Sequence, residues 1–318
     1  MIQQINSLAE THIPFLLIVD FEMQNPLIFP MDELPHDIRF TTPAYRSPED
    51  SPVSFPGQVE FQSEPVKFSR YAEAFRIVID NARAGKTYLT NLTFPSKLTT
   101  NLSLQHIYHL SHARYKLLYK NEFVFFSPET FVRINQGKIY SFPMKGTIDA
   151  ALPGAKDLLL NDEKEMAEHI TIVDLIRNDL SMHADDVKVE KFRYIETLVT
   201  NRKKLLQVSS MISGSLPDNY HSKLGEIIFS MLPAGSVSGA PKEETLRIIR
   251  ESEGSPRGYY TGIMGYFDGR DFDSAVMIRF IEQQDEGMIY RSGGGITFMS
   301  DPEKEYQELI DKVYVPFA

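Results

Sequence analysis

The sequence contains no cysteine among its 318 residues. That absence excludes disulfides, thiolate metal sites and a cysteine nucleophile, so any step needing such a nucleophile must be carried by another protein. It also lacks an apolar run of the roughly 18 residues needed to cross a bilayer. The opening MIQQINSLAETHIPFLLIVDFE has no basic segment followed by an apolar one, so neither membrane association nor export is expected and the chain reads as cytoplasmic. No repeat, low-complexity tract or disorder-type composition is present. Positive charge is in deficit: 33 Lys and Arg stand against 43 Asp and Glu, a formal net charge of -10. Nucleic-acid binding is disfavoured, because phosphate contacts need a Lys/Arg-rich face. What is present, 42% hydrophobic and 24% charged residues, suits a folded enzyme or binding protein with a sizeable core.

Residues 30–68 are rich in proline and acids with little periodicity, so after a first strand at FLLIVDFE they read as an irregular connection. Residues 1–70 are therefore taken as a short N-terminal strand and connection, and 71–318 as the main domain. YAEAFRIVIDNARAGK has the spacing of an amphipathic helix ending near Gly85, followed by a strand at TYLTNLTFPSKL, a helix at LSLQHIYHLSHAR, and strands at YKLLYK, EFVFFS, TFVRIN and KIYSFPMKGT. NDEKEMAEHITIVDLIRNDL predicts a helix capped by Asn161 or Asp162. Met166, Ile170, Val173 and Ile176 form its apolar face, and Glu168, Thr171, Leu175 and Asp179 lie on the other. Further strands are expected at KKLLQVSSMISG, YYTGIMGYF, SAVMIRFIE and MIYRSGGGITF. A last helix opens with the capping-box spacing of Ser300 to Glu303. Runs of strands punctuated by helices, without strict alternation, imply an α+β fold with large, mainly antiparallel sheets.

Several stretches could carry chemistry, each with an ordinary alternative. Lys145, in FPMKGTID, reads alone as a solvated strand-end charge before a Gly-Thr turn. LPAGSVSGAPK sets a glycine-rich turn before a helix starting near Pro241, where unpaired N–H groups suit an anion or simply begin a helix. It is not a nucleotide phosphate loop, because Ala240-Pro241-Lys242 stands where Gly-Lys-Ser/Thr is required. Arg279, placed mid-strand in SAVMIRFI, needs an anionic partner if buried, either an internal carboxylate or a substrate's. The glycines of SGGGI suit close approach of a ligand or a bulge. Glu305 and Glu308 share a helical face; if Glu168 converges with them the set could hold Mg²⁺, and otherwise they form a solvated acidic face.

Taken in order, GKTYLTNL, SPETFVRI, PMKGT, AEHITIVDLIRNDL, LPAGSVSGAPK, TGIMGY, IRF, SGGGI and DPEKEYQELIDK resemble the chorismate-utilising enzymes from about Tyr71 to the C-terminus. The implied fold is a two-lobed sandwich with helices outside, and 71–318 is then the chorismate-binding catalytic domain. Within the family the sequence is most similar to the aminodeoxychorismate synthases of para-aminobenzoate and folate synthesis. Lys145 stands where anthranilate synthases carry alanine, and Leu89 stands where isochorismate and salicylate synthases carry a water-activating lysine. The resemblance implies Glu129 as general acid and Lys145, unprotonated in an apolar pocket, as a covalent nucleophile. It implies Mg²⁺ on Glu168 and Glu308, with Glu305 on a metal-bound water. Thr147, Gln207, Gly239, Ala240, Tyr266, Arg279, Gly293, Gly294, Gly295 and Lys312 are implied substrate contacts. Ammonia is expected from a separate glutaminase subunit. The chain ends just after its last helix, so no fused lyase domain is expected. Gln207 departs from a histidine found in many members, and Ile148-Asp149 from an Arg-Pro-Arg run. The alternatives are an anthranilate synthase component I and a non-catalytic chorismate-binding protein.

Overall fold

A computed structural model describes residues 1–48, 57–199 and 204–316. Its first part runs α1 (Ile2–Glu10), β1 (Phe15–Val19), β2 (Leu27–Pro30), β3 (Ile38–Thr41), β4 (Phe61–Glu64), α2 (Phe68–Arg83), β5 (Leu89–Thr100), α3 (Leu104–Leu110), β6 (Tyr115–Tyr119), β7 (Phe123–Ser127), β8 (Thr130–Asn135), β9 (Lys138–Ser141) and β10 (Met144–Asp149). It continues through α4 (Ala155–Leu160), α5 (Glu163–Ser181), β11 (Asp185–Val199), β12 (Lys204–Ser215), α6 (Leu224–Ser230), α7 (Gly235–Ser238), β13 (Gly239–Ala240), α8 (Lys242–Glu253), β14 (Ile263–Phe267), β15 (Phe272–Val276), β16 (Phe280–Gln284), β17 (Gly287–Ile296) and α9 (Pro302–Asp311).

The strands form two antiparallel sheets. One has the order β10-β12-β9-β8-β15-β14-β1-β2 with β11 also on β12; the other has the order β13-β5-β17-β16-β7-β6-β3 with β4 also on β5. Alternation along β1 explains how they stack. Leu16 and Ile18 face Phe40, Leu117, Phe125 and Phe280 of the second sheet, whereas Phe15, Leu17 and Val19 face a core shared with α1, α5 and α6. The outer face of the second sheet is covered by α2, α8 and α9, which bury Tyr71, Ile248 and Leu309 against Leu92 and Ile296, and by α3. The result is the expected α+β sandwich with helices outside. Each of these fully buried large side chains contributes about 1.5–3 kcal/mol through removal from water.

Several sequence expectations are corrected. The segment before Tyr71 is no mere connection: β1 pairs with β14, β3 with β6 and β4 with β5. Positions 49–56 of the expected connection lie outside the described residues. KIYSFPMKGT breaks at Phe142-Pro143 into β9 and β10, which both pair with β12, as expected where proline cannot donate to the ladder. SAVMIRFIE likewise splits between the two sheets, so Arg279 sits at the crossing with φ 55° and not mid-strand. The long strand β11 was not anticipated. Asp162 caps α5, accepting from the Glu165 N–H. The faces of α5 are partly reversed, with Ile170 49% exposed while Glu168 is 4% and Asp179 8% exposed. The last helix is capped by Asp301, which accepts from the Lys304 N–H, and not by Ser300.

One glycine, in the end strand β13 of the second sheet, is sterically required. Gly239 has φ 133°, and a Cβ there would overlap the Leu89 carbonyl of β5. Gly239→Ala is expected to destabilise the protein by about 2–4 kcal/mol, read as a lowered Tm in thermal unfolding; an unchanged Tm would contradict the close approach.

Candidate active site

A cavity of about 1110 Å³ opens between the sheets, walled by β10, β12, α5, β5, β17, α9 and the segment after α9. Ser63 of β4 also lines it, so the N-terminal segment contributes to the site. The expected turn at Lys145 is a bulge inside β10. Register slips between Lys145 and Thr147, where Gly146 takes φ 72°, and all of Met144–Asp149 borders the cavity. Such a bulge bends a strand and re-aims its side chains. Lys145 Nζ lies 3.5 Å from Glu168 Oε2, with its side chain 16% exposed. The environment of the amine is therefore a carboxylate and not the apolar pocket expected.

The inward face of α5 supplies that carboxylate. Glu168 Oε1 is 3.5 Å from Lys164 Nζ, which also holds Glu305 Oε1 of α9 at 2.5 Å. Glu308 Oε1 pairs with Lys312 Nζ at 2.6 Å, and Lys312 Nζ donates to the Gly293 carbonyl at 2.8 Å. Burial pushes the Glu308 pKa up, but the ammonium groups of Lys312, Lys164 and Lys145 together outweigh it and the net direction is down. The neighbouring Glu165 is raised to about 7 by burial and by the Glu168 charge, so it holds a proton below that pH and adds negative charge above it. A Cβ on Gly294 would stand 3.4 Å from Glu308 Oε1 and 3.7 Å from Glu305 Oε2, and one on Gly295 would stand 3.0 Å from Glu168 Oε2. The three acids therefore line one rim of the β17 glycines.

This rim suits a hard cation in a limited way. Glu168 Oε1 and Glu305 Oε2 are buried without a hydrogen-bond partner, an arrangement that buried oxygens avoid unless something else satisfies them. Among the described residues, no three His, Cys, Asp or Glu side chains converge into a metal cage. The donors fit a Mg²⁺ ion that takes one or two carboxylates and completes its shell with water and substrate oxygens.

Glu129 occupies the junction between β7 and β8. Its backbone N–H donates to Ser127 Oγ at 3.0 Å, and its Oε1 accepts from Ser236 Oγ of α7 at 2.5 Å. Burial pushes its pKa up against the Ser236 hydrogen bond and the charges of Lys145, Arg279 and Lys312, so the carboxyl holds its proton above the ordinary range. Sequence reasoning missed Ser236, although it stands in the quoted LPAGSVSGAPK stretch.

Arg279 borders the cavity with its guanidinium 5.1 Å from the Tyr314 ring. Its Nε, Gln207 Oε1 and Asn91 Oδ1 are also buried without partners. Thr147, Gln207, Gly293, Gly295 and Lys312 line the same space, joined by the unanticipated Tyr260, Thr261, Lys164 and Asn91. Gly239 and Ala240 do not line it, because their backbones pair with Thr90 and Leu89 of β5. Tyr266 is also elsewhere, its ring tilted against those of Phe40 and Tyr45 between the sheets. The tyrosines at the cavity are Tyr314, after α9, and Tyr260, six residues before Tyr266 on the loop before β14. A side chain's direction on that loop depends on its irregular backbone, which periodicity does not reveal.

Residues 30–317 match the family described as chorismate binding enzyme. The chain belongs to that family. The chorismate-binding enzyme is 48% identical to an uncharacterized PabA-like protein of Haemophilus influenzae over 99% of this chain and 96% of the relative. It is 37% identical to anthranilate synthase component 1 of Aquifex aeolicus, over 58% of this chain and 38% of that protein. Its fold superposes on a putative 2,3-dihydroxybenzoate-specific isochorismate synthase of Bacillus anthracis with a TM-score of 0.73 at 19% identity, covering 98% of this chain and 87% of that one. Because Tyr266 lies away from the cavity, Tyr266→Phe in this chorismate-binding enzyme is expected to leave chorismate affinity within about twofold by calorimetry; a tenfold loss would return Tyr266 to the site.

Proposed function

We propose that the protein is the synthase subunit that converts chorismate and ammonia to 4-amino-4-deoxychorismate, for para-aminobenzoate and folate synthesis. The observation that supports this reading most is the Lys145 amine on the cavity wall, close enough for its charge to act on the carboxyl of Glu129. Chorismate is a dianion with a poor hydroxyl leaving group, so it needs cationic binding and an acid. Arg279, Lys312 and the Gly293 and Gly295 backbone meet its carboxylates, and Thr147 and Gln207 offer hydrogen bonds to the ring substituents.

With its proton passed to solvent, Lys145 attacks ring carbon 2 through its Nζ lone pair. The two ring double bonds shift, the carbon 4 to oxygen bond breaks, and the hydroxyl leaves as water with the proton of Glu129. Ammonia then bonds to carbon 4, the double bonds shift back, and the carbon 2 to Nζ bond breaks, returning its electron pair to Lys145. The ammonium formed at carbon 4 gives a proton to the Glu129 carboxylate, which resets the acid. Glu168 and Glu308, with Glu305 on a metal-bound water, would hold Mg²⁺, which supplies Lewis-acid neutralisation of the ring carboxylate when bound. Ammonia comes from a separate glutaminase subunit, consistent with the absence of cysteine here.

The same Cβ position on Gly295 meets Leu89 Cδ1 at 3.0 Å and Lys145 Nζ at 3.1 Å. An apolar Leu89 at this point cannot activate water, which argues against an isochorismate-forming reaction. The second reading, amination at carbon 2, is favoured by the likeness to anthranilate synthase component 1. Purified protein given chorismate, ammonium and Mg²⁺ distinguishes the two. The 4-amino product, converted to para-aminobenzoate only when a lyase is added, is expected in mass spectrometry. Fluorescent anthranilate without a lyase overturns the proposal, and binding without turnover would leave a chorismate-binding protein.

A further inference from the structure

Arg257 is 1% exposed, and its five N–H groups are all engaged. Nε donates to Glu253 Oε2 at 2.9 Å, and Nη2 to Glu253 Oε1 at 2.6 Å and the Asn91 carbonyl at 2.7 Å. Nη1 donates to the Val237 carbonyl at 2.7 Å and Thr261 Oγ1 at 3.3 Å. Asn91, Val237 and Thr261 belong to three separate elements, and all three line the cavity. Glu253 is itself held, because its Oε1 accepts from the Thr93 N–H and hydroxyl. On the other side, Glu22 accepts from the backbone N–H of Arg257 and of Gly258, and the guanidinium lies 4.4 Å from the Phe21 ring. Arg257 thus ties the turn after β1, the start of β5, α7 and the loop before β14. A planar guanidinium with fixed donor directions suits such a junction, and lysine does not reproduce it.

Val237 is the residue after Ser236, whose hydroxyl holds Glu129. The short helix α7 that carries both spans only four residues, so its orientation depends on outside contacts rather than on its own hydrogen bonds. We propose that Arg257 is a positioning residue that acts through the Val237 carbonyl on Ser236, and so places the hydroxyl against the carboxyl of Glu129. Arg257 does not line the cavity, so it acts at one remove from the substrate. Glu129 also feels Lys145 of β10, Arg279 at the sheet crossing and Lys312 after α9. None of these is bonded to Arg257, which leaves Ser236 as the connection that a variant would interrupt.

The test is the titration of the Glu129 carboxyl, followed by NMR in protein carrying ¹³C at glutamate Cδ and assigned by the signal lost in Glu129→Gln. This readout does not require turnover, so it stands apart from the proposed reaction: a wild-type protein that fails to aminate chorismate would sink the proposed function and leave this inference to be judged on its own. Ser236→Ala removes a hydrogen bond that favours the carboxylate, so it is expected to move the midpoint to higher pH. Arg257→Lys, which retains a positive charge beside Glu253, is expected to move it in the same direction, and the double variant to move it no further than Ser236→Ala alone. Thermal unfolding of each variant is recorded alongside. Glu253→Gln, which loosens Arg257 while leaving it in place, is run in the same cycle should Arg257→Lys fail to fold. Midpoints that stay at the wild-type value in these variants while Ser236→Ala moves it, or shifts that simply add in the double variant, would overturn the proposal.

Discussion

Lys145→Ala is expected to lower chorismate amination by about 10³-fold or more, equivalent to about 4 kcal/mol of transition-state stabilisation. The proposed route depends on one nitrogen at the cavity wall, and no other described amine occupies the bulge at Gly146. Lys164 and Lys312 cannot take its place without giving up Glu305 and Glu308, which they hold at 2.5 and 2.6 Å. The measurement is the steady-state rate of chorismate loss with product identified by mass spectrometry. Wild-type protein incubated with chorismate and Mg²⁺ but no ammonia should gain the mass of chorismate less one water on the Lys145 peptide. If Lys145→Ala makes the same product at the wild-type rate, the covalent step is removed. Lys145 would then be left as a counter-ion to Glu168.

Glu129→Gln is expected to lower kcat by about 10²–10⁴-fold with a smaller change in KM. Glutamine can accept the Ser236 hydrogen bond but has no proton to give to the departing hydroxyl. The sign of the pH dependence follows from burial. Because the Glu129 pKa is raised, the acid stays protonated to a higher pH than an ordinary carboxyl, and the rate should fall as pH rises through that raised value. The descending limb assigned to Glu129 should be missing in Glu129→Gln, and in Ser236→Ala it should lie at higher pH. Retention of both the rate and that limb in Glu129→Gln would show that another group protonates the leaving oxygen.

Much of the fold was legible because strands such as β1, β6 and β7 are short, largely apolar runs and α3, α5 and α9 carry side-chain caps at their starts. The amphipathic period of α2 and the Asp162 cap of α5 are local properties, set by side chains within a few residues of one another. Where the reading went wrong, the deciding contact was distant in sequence. SAVMIRFIE has the composition of one strand, yet β15 pairs with β8 and β14 while β16 pairs with β7 and β17, so the chain crosses between sheets at Arg279. Helical spacing puts Ile170 on the apolar face of α5, which a helix ordinarily buries, and Glu168 on the other face. A helix that faces a polar cavity reverses that rule: Glu168 is buried against two lysines, and Ile170 is left at the surface.

The site divides in the same way. The types and order of Glu129, Lys145, Glu168, Arg279, Gly293, Glu308 and Lys312 were readable from motifs, and all of them border one cavity. Ser236, Glu165, Lys164 and Tyr260 were not selected, and Tyr266, Gly239 and Ala240 were placed at the cavity although they lie outside it. By itself the sequence determined the class of chain and the antiparallel α+β architecture, which depend on composition, periodicity and local spacing, while its resemblance to the chorismate-utilising enzymes pointed to a subset of the residues that border the cavity. Only the tertiary structure decided which side chains converge and what surrounds them: that Lys145 faces a carboxylate, that Glu129 is held by Ser236, and that Arg257 ties the walls together. Those contacts include one between residues 235 positions apart, and burial and charge at such points arise only when the two sheets close on each other.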